Sequence, residues 1–266
     1  MKVNWKKLIM TSYPKLVFFG NEKIATGITT NHVVSQALAE AGYQIVDEPT
    51  GAEAAVLIAY GKILPRTVID SFPKGIINIH PSLLPKLRGS SPVETAILKG
   101  LPKTGVSLMQ ITAQMDAGPT FAKIPIKLTG TETKQELADK LLALGAELLV
   151  KQLPKILDGS LKPVSQNDGL ATYTKKIKKS DGAVDFTKSA KQLEREVRAY
   201  SGWPKSQARI FGHKVIILKS RVAAGAADGR LVIACRPGWL EILELTAPSG
   251  RQVSGAEFLR GYGPKR

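Results

Sequence analysis

Short apolar runs alternate with helical patterns through the first half of the chain, and this alternation constrains the fold more than any other feature. KLVFF at residues 15–19 is a continuous apolar run, and residues 30–42 carry apolar side chains at helical spacing. AAVLIAY at residues 54–60 is too apolar for a half-exposed strand, and residues 76–79 form another apolar run. Strands that alternate with helices predict an α/β fold with a doubly wound, mainly parallel sheet.

The next part of the chain predicts the edge of this sheet and a long helix. Residues 104–111 alternate as in a strand, and residues 121–128 form a strand pattern that contains Pro125. Because proline has no N–H to donate to an interior ladder, the second of these strands is expected at an edge. Leucines at helical spacing over residues 132–157 predict a long amphipathic helix.

Short strands are predicted throughout the C-terminal part. Strand patterns occur at residues 207–210, 213–218, 231–234 and 240–246, and near residue 252. Regular short strands in about a hundred residues predict a small β-barrel. The polar stretch at residues 158–169 is typical of a linker, so we expect a catalytic domain over residues 1–157 and a smaller domain over residues 170–266.

The formal charge of +16 is concentrated in the C-terminal part of the chain. Residues 160–266 hold 20 Lys and Arg against 9 Asp and Glu, whereas residues 1–159 hold 18 against 13. A basic domain joined to a more nearly balanced one favours a polyanionic partner such as nucleic acid. A solubilising surface would have a similar composition.

Several classes of protein are disfavoured by composition. No apolar run approaches the roughly 20 residues of a membrane span, and the N-terminus lacks the long apolar region of a signal peptide, so we expect a cytoplasmic protein without a membrane partner. The single cysteine, Cys235, excludes an internal disulfide and predicts a buried thiol. The three histidines are scattered, so no metal site is expected. Residues 20–27 lack the dinucleotide fingerprint, so no dinucleotide cofactor is expected.

The strongest chemical signal is an asparagine and a histidine at the end of an apolar strand. Asn78 and His80 are two residues apart, so their side chains are expected on the same face. An amide donor can hold a developing oxyanion, an imidazole moves protons near neutral pH, and a carboxylate such as Asp116 could orient that imidazole. A strand end followed by an ordinary turn, and a turn-capping Asp116, are the alternative interpretations.

The segment from Ile76 to Gly89, with TGVSLMQ at residues 104–110 and MDAGP at residues 115–119, resembles the signature of the folate-dependent formyltransferases. The resemblance implies that Asn78, His80 and Asp116 form the catalytic set. It also implies 10-formyltetrahydrofolate as formyl donor. The folate pocket would be shaped by the backbone of residues 58–64 and by Ser82, Leu83, Leu84 and Pro85.

ATYTKKIKKSDGAVDF at residues 171–186 and SGAEFLRGY at residues 254–262 resemble the C-terminal domain of the methionyl-tRNA formyltransferases, a barrel of the oligonucleotide-binding (OB) type. The resemblance implies transfer of formyl to the α-amino group of methionine on initiator methionyl-tRNA. We expect the protein to be a monomer. The expected tRNA contacts are Arg88, Lys175, Lys176, Lys178 and Lys179, with Lys191, Arg195 and Arg198 as further basic residues on one helix face. All of these residues are also compatible with a solvated surface.

The chain departs from that family after residue 46, where only residues 47–53 separate two predicted strands. The methionyl-tRNA formyltransferases normally have a further βα unit and a basic loop in this region. Parallel neighbours need a connection of about a dozen residues, so the two strands are not expected to pair with each other.

The shortened region leaves two alternatives open for function. The first is a formyltransferase that acts on a small amine, such as an amino sugar nucleotide or glycinamide ribonucleotide. The second is a catalytically impaired tRNA-binding protein. Loss of a packed layer would also expose apolar sheet surface, which predicts reduced stability or a compensating dimer.

Overall fold

The computed structural model describes residues 14–20, 30–58 and 64–264, and these residues form two compact units. The described parts of residues 1–86, 106–124 and 141–171 form the first unit, and those of residues 87–105, 125–140 and 172–266 form the second. The units therefore interleave along the chain. The domain boundaries predicted at residues 157 and 170 stay a prediction.

A six-stranded sheet is built from the first half of the chain. Its strands are β1 (Lys15–Gly20), β2 (Gln44–Val46), β3 (Ala54–Ile58), β4 (Ile76–His80), β5 (Lys103–Gln110) and β6 (Thr120–Lys127), in the order β2-β1-β3-β4-β5-β6. β1 is parallel to β2 and β3, β3 is parallel to β4, and β4 is antiparallel to β5. The predicted α/β fold with a mainly parallel sheet is confirmed, and β6, which contains Pro125, is an edge strand as predicted.

In chain order, the described residues from 30 to 157 also form the helices α1 (Thr30–Glu40), α2 (Arg66–Ile69), α3 (Pro92–Leu98) and α4 (Lys134–Leu157). Pro92 starts α3, where its missing N–H costs no helical hydrogen bond. Thr133 caps α4, because its hydroxyl accepts the Glu136 N–H while the Glu136 carboxylate accepts the Thr133 N–H. The long amphipathic helix is confirmed, beginning two residues later than the pattern predicted and burying Leu137, Leu141, Leu149 and Leu153.

The short connection after β2 is explained by the strand order. β2 and β3 are not neighbours, as predicted, because both pair with β1, which lies between them. Val46 is level with Val17 and Ala54 is level with Leu16, so the connection crosses one strand at almost constant height. That distance is about 10 Å, and seven extended residues reach about 24 Å.

A glycine in α4 sets how closely this helix packs on β4. A Cβ atom at Gly145 would lie 2.5 Å from Cγ2 of Ile79 and 3.4 Å from Cγ1 of Val106. Ile79 therefore packs beneath α4, and its strand neighbours Asn78 and His80 point to the opposite face of the sheet.

The second unit contains a five-stranded antiparallel sheet. The strands of this sheet are β7 (Ser206–Ile210), β8 (His213–Ala223), β9 (Val232–Cys235), β10 (Gly238–Thr246) and β11 (Gln252–Ser254). The helix α5 (Ala190–Ala199) precedes them in the chain, and the helix α6 (Gly255–Tyr262) follows them. The strands are ordered β11-β10-β8-β7, with β9 also pairing with β10. Leu193, Ile217, Leu240 and Phe258 lie in its core, so the prediction of a strand-rich C-terminal domain is confirmed.

A buried carboxylate fixes two arginines on this sheet. Glu241 of β10 is 6% exposed and lies directly opposite Arg221 of β8. Its carboxylate accepts hydrogen bonds from Nε of Arg230 at 2.8 Å and from Nε of Arg221 at 2.7 Å. The bonds from Arg230, together with those from Arg221, lower the pKa of Glu241 to about 2, against the opposing effect of desolvation.

Within the described residues, no helix is long and apolar enough to cross a membrane.

We expect Gly145→Ala to destabilise the protein by about 1–3 kcal/mol, because the added methyl group overpacks the contact between α4 and β4. Gly261→Ala in α6 is the matched control, since no atom lies within 4 Å of its Cβ position and alanine favours a helix. Urea denaturation of both variants measures the difference. Equal stability of Gly145→Ala and the unmodified protein would contradict the close packing.

We expect Glu241→Gln to lower stability at pH 7 by about 2 kcal/mol, a typical value for hydrogen bonds to a charged group. Because the folded pKa is depressed, the contribution of Glu241 is present above its ordinary pKa of 4.5 and is lost as the pH falls toward about 2. The stability gap between the two proteins should therefore shrink between pH 5 and pH 2. Glu244→Gln is the control, because the Lys219–Glu244 pair on the same strands is exposed and 3.8 Å apart.

Candidate active site

The candidate site lies in the first unit, at the end of β4. All five residues of this strand are buried, and Asn78 and His80 are 6% and 4% exposed. Asn78 pairs with Met109 and His80 with Ser107 of β5. Since His80 is the last residue of β4, the imidazole sits at the carboxyl end of the parallel strands, where open α/β sheets commonly place their ligands.

The imidazole and a distant carboxylate come together at this position. Nδ1 of His80 lies 3.8 Å from Oδ2 of Asp116, and the side chains are 5% and 17% exposed. The separation is longer than a hydrogen bond but short enough for electrostatic attraction in a partly buried site. The structure thus brings together two of the three predicted catalytic residues, with Asn78 two positions before His80 on the same strand.

The turn that presents Asp116 requires the residue types found in MDAGP. Asp116 has a φ of 49°, a left-handed conformation that aspartate tolerates better than most residues. A Cβ atom at Gly118 would lie 1.9 Å from the carbonyl oxygen of Gln110, so only glycine fits there. The Gln166 side-chain amide donates to the carbonyl oxygens of Asp116 at 2.8 Å and Gly118 at 2.7 Å, which fixes the turn.

The loop after His80 is held by hydrogen bonds to its own backbone. The Ser107 hydroxyl donates to the Ser82 carbonyl at 2.7 Å and accepts the Leu84 N–H at 3.0 Å. The Ser82 hydroxyl donates to the Lys86 carbonyl at 2.6 Å. Lys123, whose pKa is lowered by desolvation, donates from Nζ to the Leu84 carbonyl.

The four residues predicted to contact folate differ in how accessible they are. Ser82 and Leu84 are 0% and 2% exposed, and they pack inside the loop. Leu83 and Pro85 are half-buried, so they keep apolar surface that a ligand can reach. The predicted contribution from the backbone of residues 58–64 lies mostly outside the described residues.

Arg88 is buried in the second unit, although a surface position was the alternative considered from the sequence. Its side chain is 2% exposed, and Nη1 lies 3.3 Å from the Tyr173 hydroxyl. The backbone of Arg88 donates to the Thr172 carbonyl and accepts the Thr174 N–H, both at 2.8 Å. The two predicted motifs, Arg88-Gly89 and ATYT, therefore pair with each other.

The lysines predicted to contact tRNA are all accessible to solvent. Lys175, Lys176, Lys178 and Lys179 are exposed. Arg198 of α5 is engaged, because it donates to both carboxylate oxygens of Glu194, at 2.6 and 2.9 Å. Lys191, Arg195 and Arg198 line a cavity of about 480 Å³ in the second unit, together with Ile97, Leu101 and Val222.

Sequence reasoning missed Ser107, Lys123 and Gln166, which hold the loop and the turn but carry no motif of their own. Ser107 had a detectable signal, since it is a polar residue within the apolar alternation of β5. Lys123 and Gln166 had none. Among the residues that the structure describes, no group of three or more His, Cys, Asp or Glu side chains is placed to hold a metal ion.

Comparison with known proteins finds two family models along the chain. The model described as formyl transferase matches residues 7–153, and the model described as formyl transferase, C-terminal domain, matches residues 176–263. The chain is 37% identical over 241 residues to a methionyl-tRNA formyltransferase of Cereibacter sphaeroides, covering 89% of this chain and 78% of the relative.

Solved structures share the fold at low sequence identity. HypX from Aquifex aeolicus in complex with tetrahydrofolic acid aligns with a TM-score of 0.71 at 17% identity, over 94% of this chain and 47% of HypX. The N-formyltransferase from Helicobacter canadensis, in complex with folinic acid and dTDP-3-aminofucose, aligns with a TM-score of 0.66 at 16% identity. That alignment covers 87% of this chain and 98% of the neighbour.

We expect Ser107→Ala to destabilise the protein by about 1–3 kcal/mol, because the buried Leu84 N–H loses its acceptor and the Ser82 carbonyl loses a donor. Ser90→Ala is the control, since Ser90 is exposed. Chemical denaturation gives the stability, and amide hydrogen exchange at Leu84 reports on the loop. Unchanged exchange at Leu84 would show that Ser107 does not hold the loop.

Proposed function

This chain belongs to the formyl transferase family, and we propose that it transfers a formyl group from 10-formyltetrahydrofolate to the α-amino group of methionine on initiator methionyl-tRNA. The observation that carries the proposal is the approach of Asp116 to His80 at 3.8 Å, beside Asn78 at the end of β4. The similarity of most of the chain to a methionyl-tRNA formyltransferase supports this choice of acceptor.

We assign oxyanion stabilisation to Asn78. Attack of an amine on the formyl carbon forms a new C–N bond and places negative charge on the formyl oxygen. The Asn78 side-chain amide is an N–H donor, and β4 holds its strand position within a fully buried segment. A donor fixed in a site of low water content stabilises such a charge without reorganisation.

We assign proton handling to His80. The attacking amine loses a proton, and the folate nitrogen gains one as its bond to the formyl carbon breaks. An imidazole exchanges protons near neutral pH and can serve both steps. Nδ1 faces Asp116, so we assign the contact with the reacting groups to Nε2 and the orientation of the ring to the Asp116 carboxylate.

For the formyl donor, we assign apolar contacts to the side chains of Leu83 and Pro85. Both keep accessible surface on the loop that follows His80, whereas the hydroxyl of Ser82 is used by the Lys86 carbonyl and Leu84 is buried. The planar ring system of a folate needs apolar walls and a few fixed polar groups. In this loop, Leu83 and Pro85 would supply the apolar walls and the backbone the polar groups. Ser82 and Leu84 would act by shaping the loop.

For the acceptor, we assign phosphate contacts to the exposed Lys175, Lys176, Lys178 and Lys179. The excess of 20 basic over 9 acidic residues after residue 159 supports a polyanionic partner. Arg88 is too buried for direct phosphate contact in this conformation. It would contact tRNA only after Tyr173 moves, or would influence binding indirectly through the loop that follows His80. We also propose a cytoplasmic monomer, matching a role in translation initiation.

We expect Asn78→Ala to lower the rate of formyl transfer by about 100- to 1,000-fold, and His80→Ala by about 100- to 10,000-fold. The assay follows formyl-methionine formation from 10-formyltetrahydrofolate and methionylated initiator tRNA. Asn167→Ala is the matched control, because Asn167 is exposed and its side chain accepts a hydrogen bond from the nearby Gly169 N–H.

Two further measurements distinguish the proposed function from the alternatives: transfer to small amines, and binding of tRNA. Transfer to an amino sugar nucleotide or glycinamide ribonucleotide, without transfer to tRNA, would replace the tRNA acceptor by a small amine. Salt-sensitive tRNA binding without any transfer by the unmodified protein would identify an impaired enzyme that retains RNA binding.

A further inference from the structure

An exposed aromatic residue occupies the tip of the β7–β8 hairpin in an unfavourable backbone conformation. Ile210 pairs with His213, so Phe211 and Gly212 form a two-residue turn. Their φ angles are 51° and 82°, the combination of a type I′ turn, which favours Asn-Gly. A bulky residue with positive φ is an outlier that surrounding structure must stabilise, and such outliers concentrate at binding sites.

The Phe211 ring continues a stack of aromatic rings from α6. Phe211 stacks on Phe258 at a centroid distance of 6.4 Å and an interplanar angle of 12°, and Phe258 stacks on Tyr262 at 4.9 Å and 18°. The His213 ring meets Tyr262 edge-on at 5.0 Å. Phe258 is fully buried, whereas Phe211 is 43% exposed. The buried part of the stack therefore holds a flat ring at the surface.

Two like charges face each other in the strand pair that precedes this turn. Arg209 of β7 is directly opposite Lys214 of β8, and both are exposed. Like charges in opposite positions of a sheet destabilise it. Arg209 donates from Nη1 to the Gly212 carbonyl at 3.0 Å, and within the described part of the chain neither residue forms an ion pair with a carboxylate. An anion bound between them would relieve the repulsion.

We propose that Phe211, Arg209 and Lys214 form a binding site for one unpaired nucleotide of RNA, which we call the hairpin platform. The base stacks on Phe211, and the adjoining phosphate lies against Arg209 and Lys214. Base stacking on aromatic side chains together with basic contacts to the backbone is how proteins hold single strands. The choice of RNA rests on the proposed tRNA acceptor, and the site lies outside the catalytic residues.

The combination of features at the hairpin platform favours a nucleotide over other partners. A phosphate alone would use the two cations but not the flat ring. An apolar protein surface would use Phe211 but would bury Arg209 and Lys214 at a high desolvation cost. An unpaired nucleotide matches both the ring and the charges, and a base inside a duplex cannot reach the ring.

The test measures binding of the full-length protein to a labelled single-stranded RNA of about eight nucleotides and to the matched duplex, by fluorescence anisotropy. Phe211→Asn removes the ring while placing the preferred residue in a type I′ turn, so it should fold at least as well as the unmodified protein. We expect it to weaken single-strand binding by about 5- to 100-fold and duplex binding far less. Phe211→Trp keeps an aromatic ring and should restore binding.

A second pair of variants tests the phosphate contact. Lys214→Gln should reduce the slope of log affinity against log salt by about 0.7 for a single strand. Lys162→Gln is the matched control, because it removes one exposed lysine from the first unit. An equal effect of both variants would show general electrostatic attraction without a contact at the hairpin.

The tests of the hairpin platform and of the proposed enzyme activity have independent outcomes. Unchanged single-strand affinity in Phe211→Asn, or equal losses for single strand and duplex, would overturn the platform even if formyl transfer to tRNA is observed. Binding that depends on Phe211 would stand if formyl transfer is absent. If the protein binds apolar proteins or vesicles through Phe211 but does not bind RNA, the proposal is also overturned.

Discussion

The candidate active site depends on two positions where a side chain is absent. Without a Cβ atom at Gly145, α4 can press on Ile79, and this contact fixes which face of β4 carries Asn78 and His80. Without a Cβ atom at Gly118, the turn can close on the Gln110 carbonyl and direct Asp116 toward His80. The strand and the turn are thus positioned by backbone proximity, which is less adaptable than contact between flexible side chains.

Features that repeat locally in the sequence were predictable. The alternation of apolar runs and helical patterns specified the mainly parallel sheet, and proline placed β6 at its edge. The two-residue spacing of Asn78 and His80 placed them on one face. What local patterns could not supply was contact over long separations, such as the pairing of Arg88 with Thr172 and Thr174, because nothing in either segment specifies its partner.

Burial of charge was the least predictable property of the site. Arg88 and the four lysines Lys175, Lys176, Lys178 and Lys179 are all cationic in sequence, yet Arg88 is enclosed while the lysines are solvated. A guanidinium can be buried where a tyrosine side chain packs over it, and the ring of Tyr173 covers Arg88 in this way while its hydroxyl accepts a hydrogen bond from Nη1. Glu241 is also buried, and its carboxylate is reached by two arginines from other parts of the sequence. Such neighbours are known only after the chain has folded.

The connection between β2 and β3 is a point of the sheet at which the number of connecting residues can vary. Its two ends already lie at the same height on either side of β1, so closing it requires no particular length above a short minimum. The entropic cost of a longer connection rises only slowly with length. A whole supersecondary unit could be gained or lost between Val46 and Ala54 while β1, β3 and the strand that carries His80 keep their pairing.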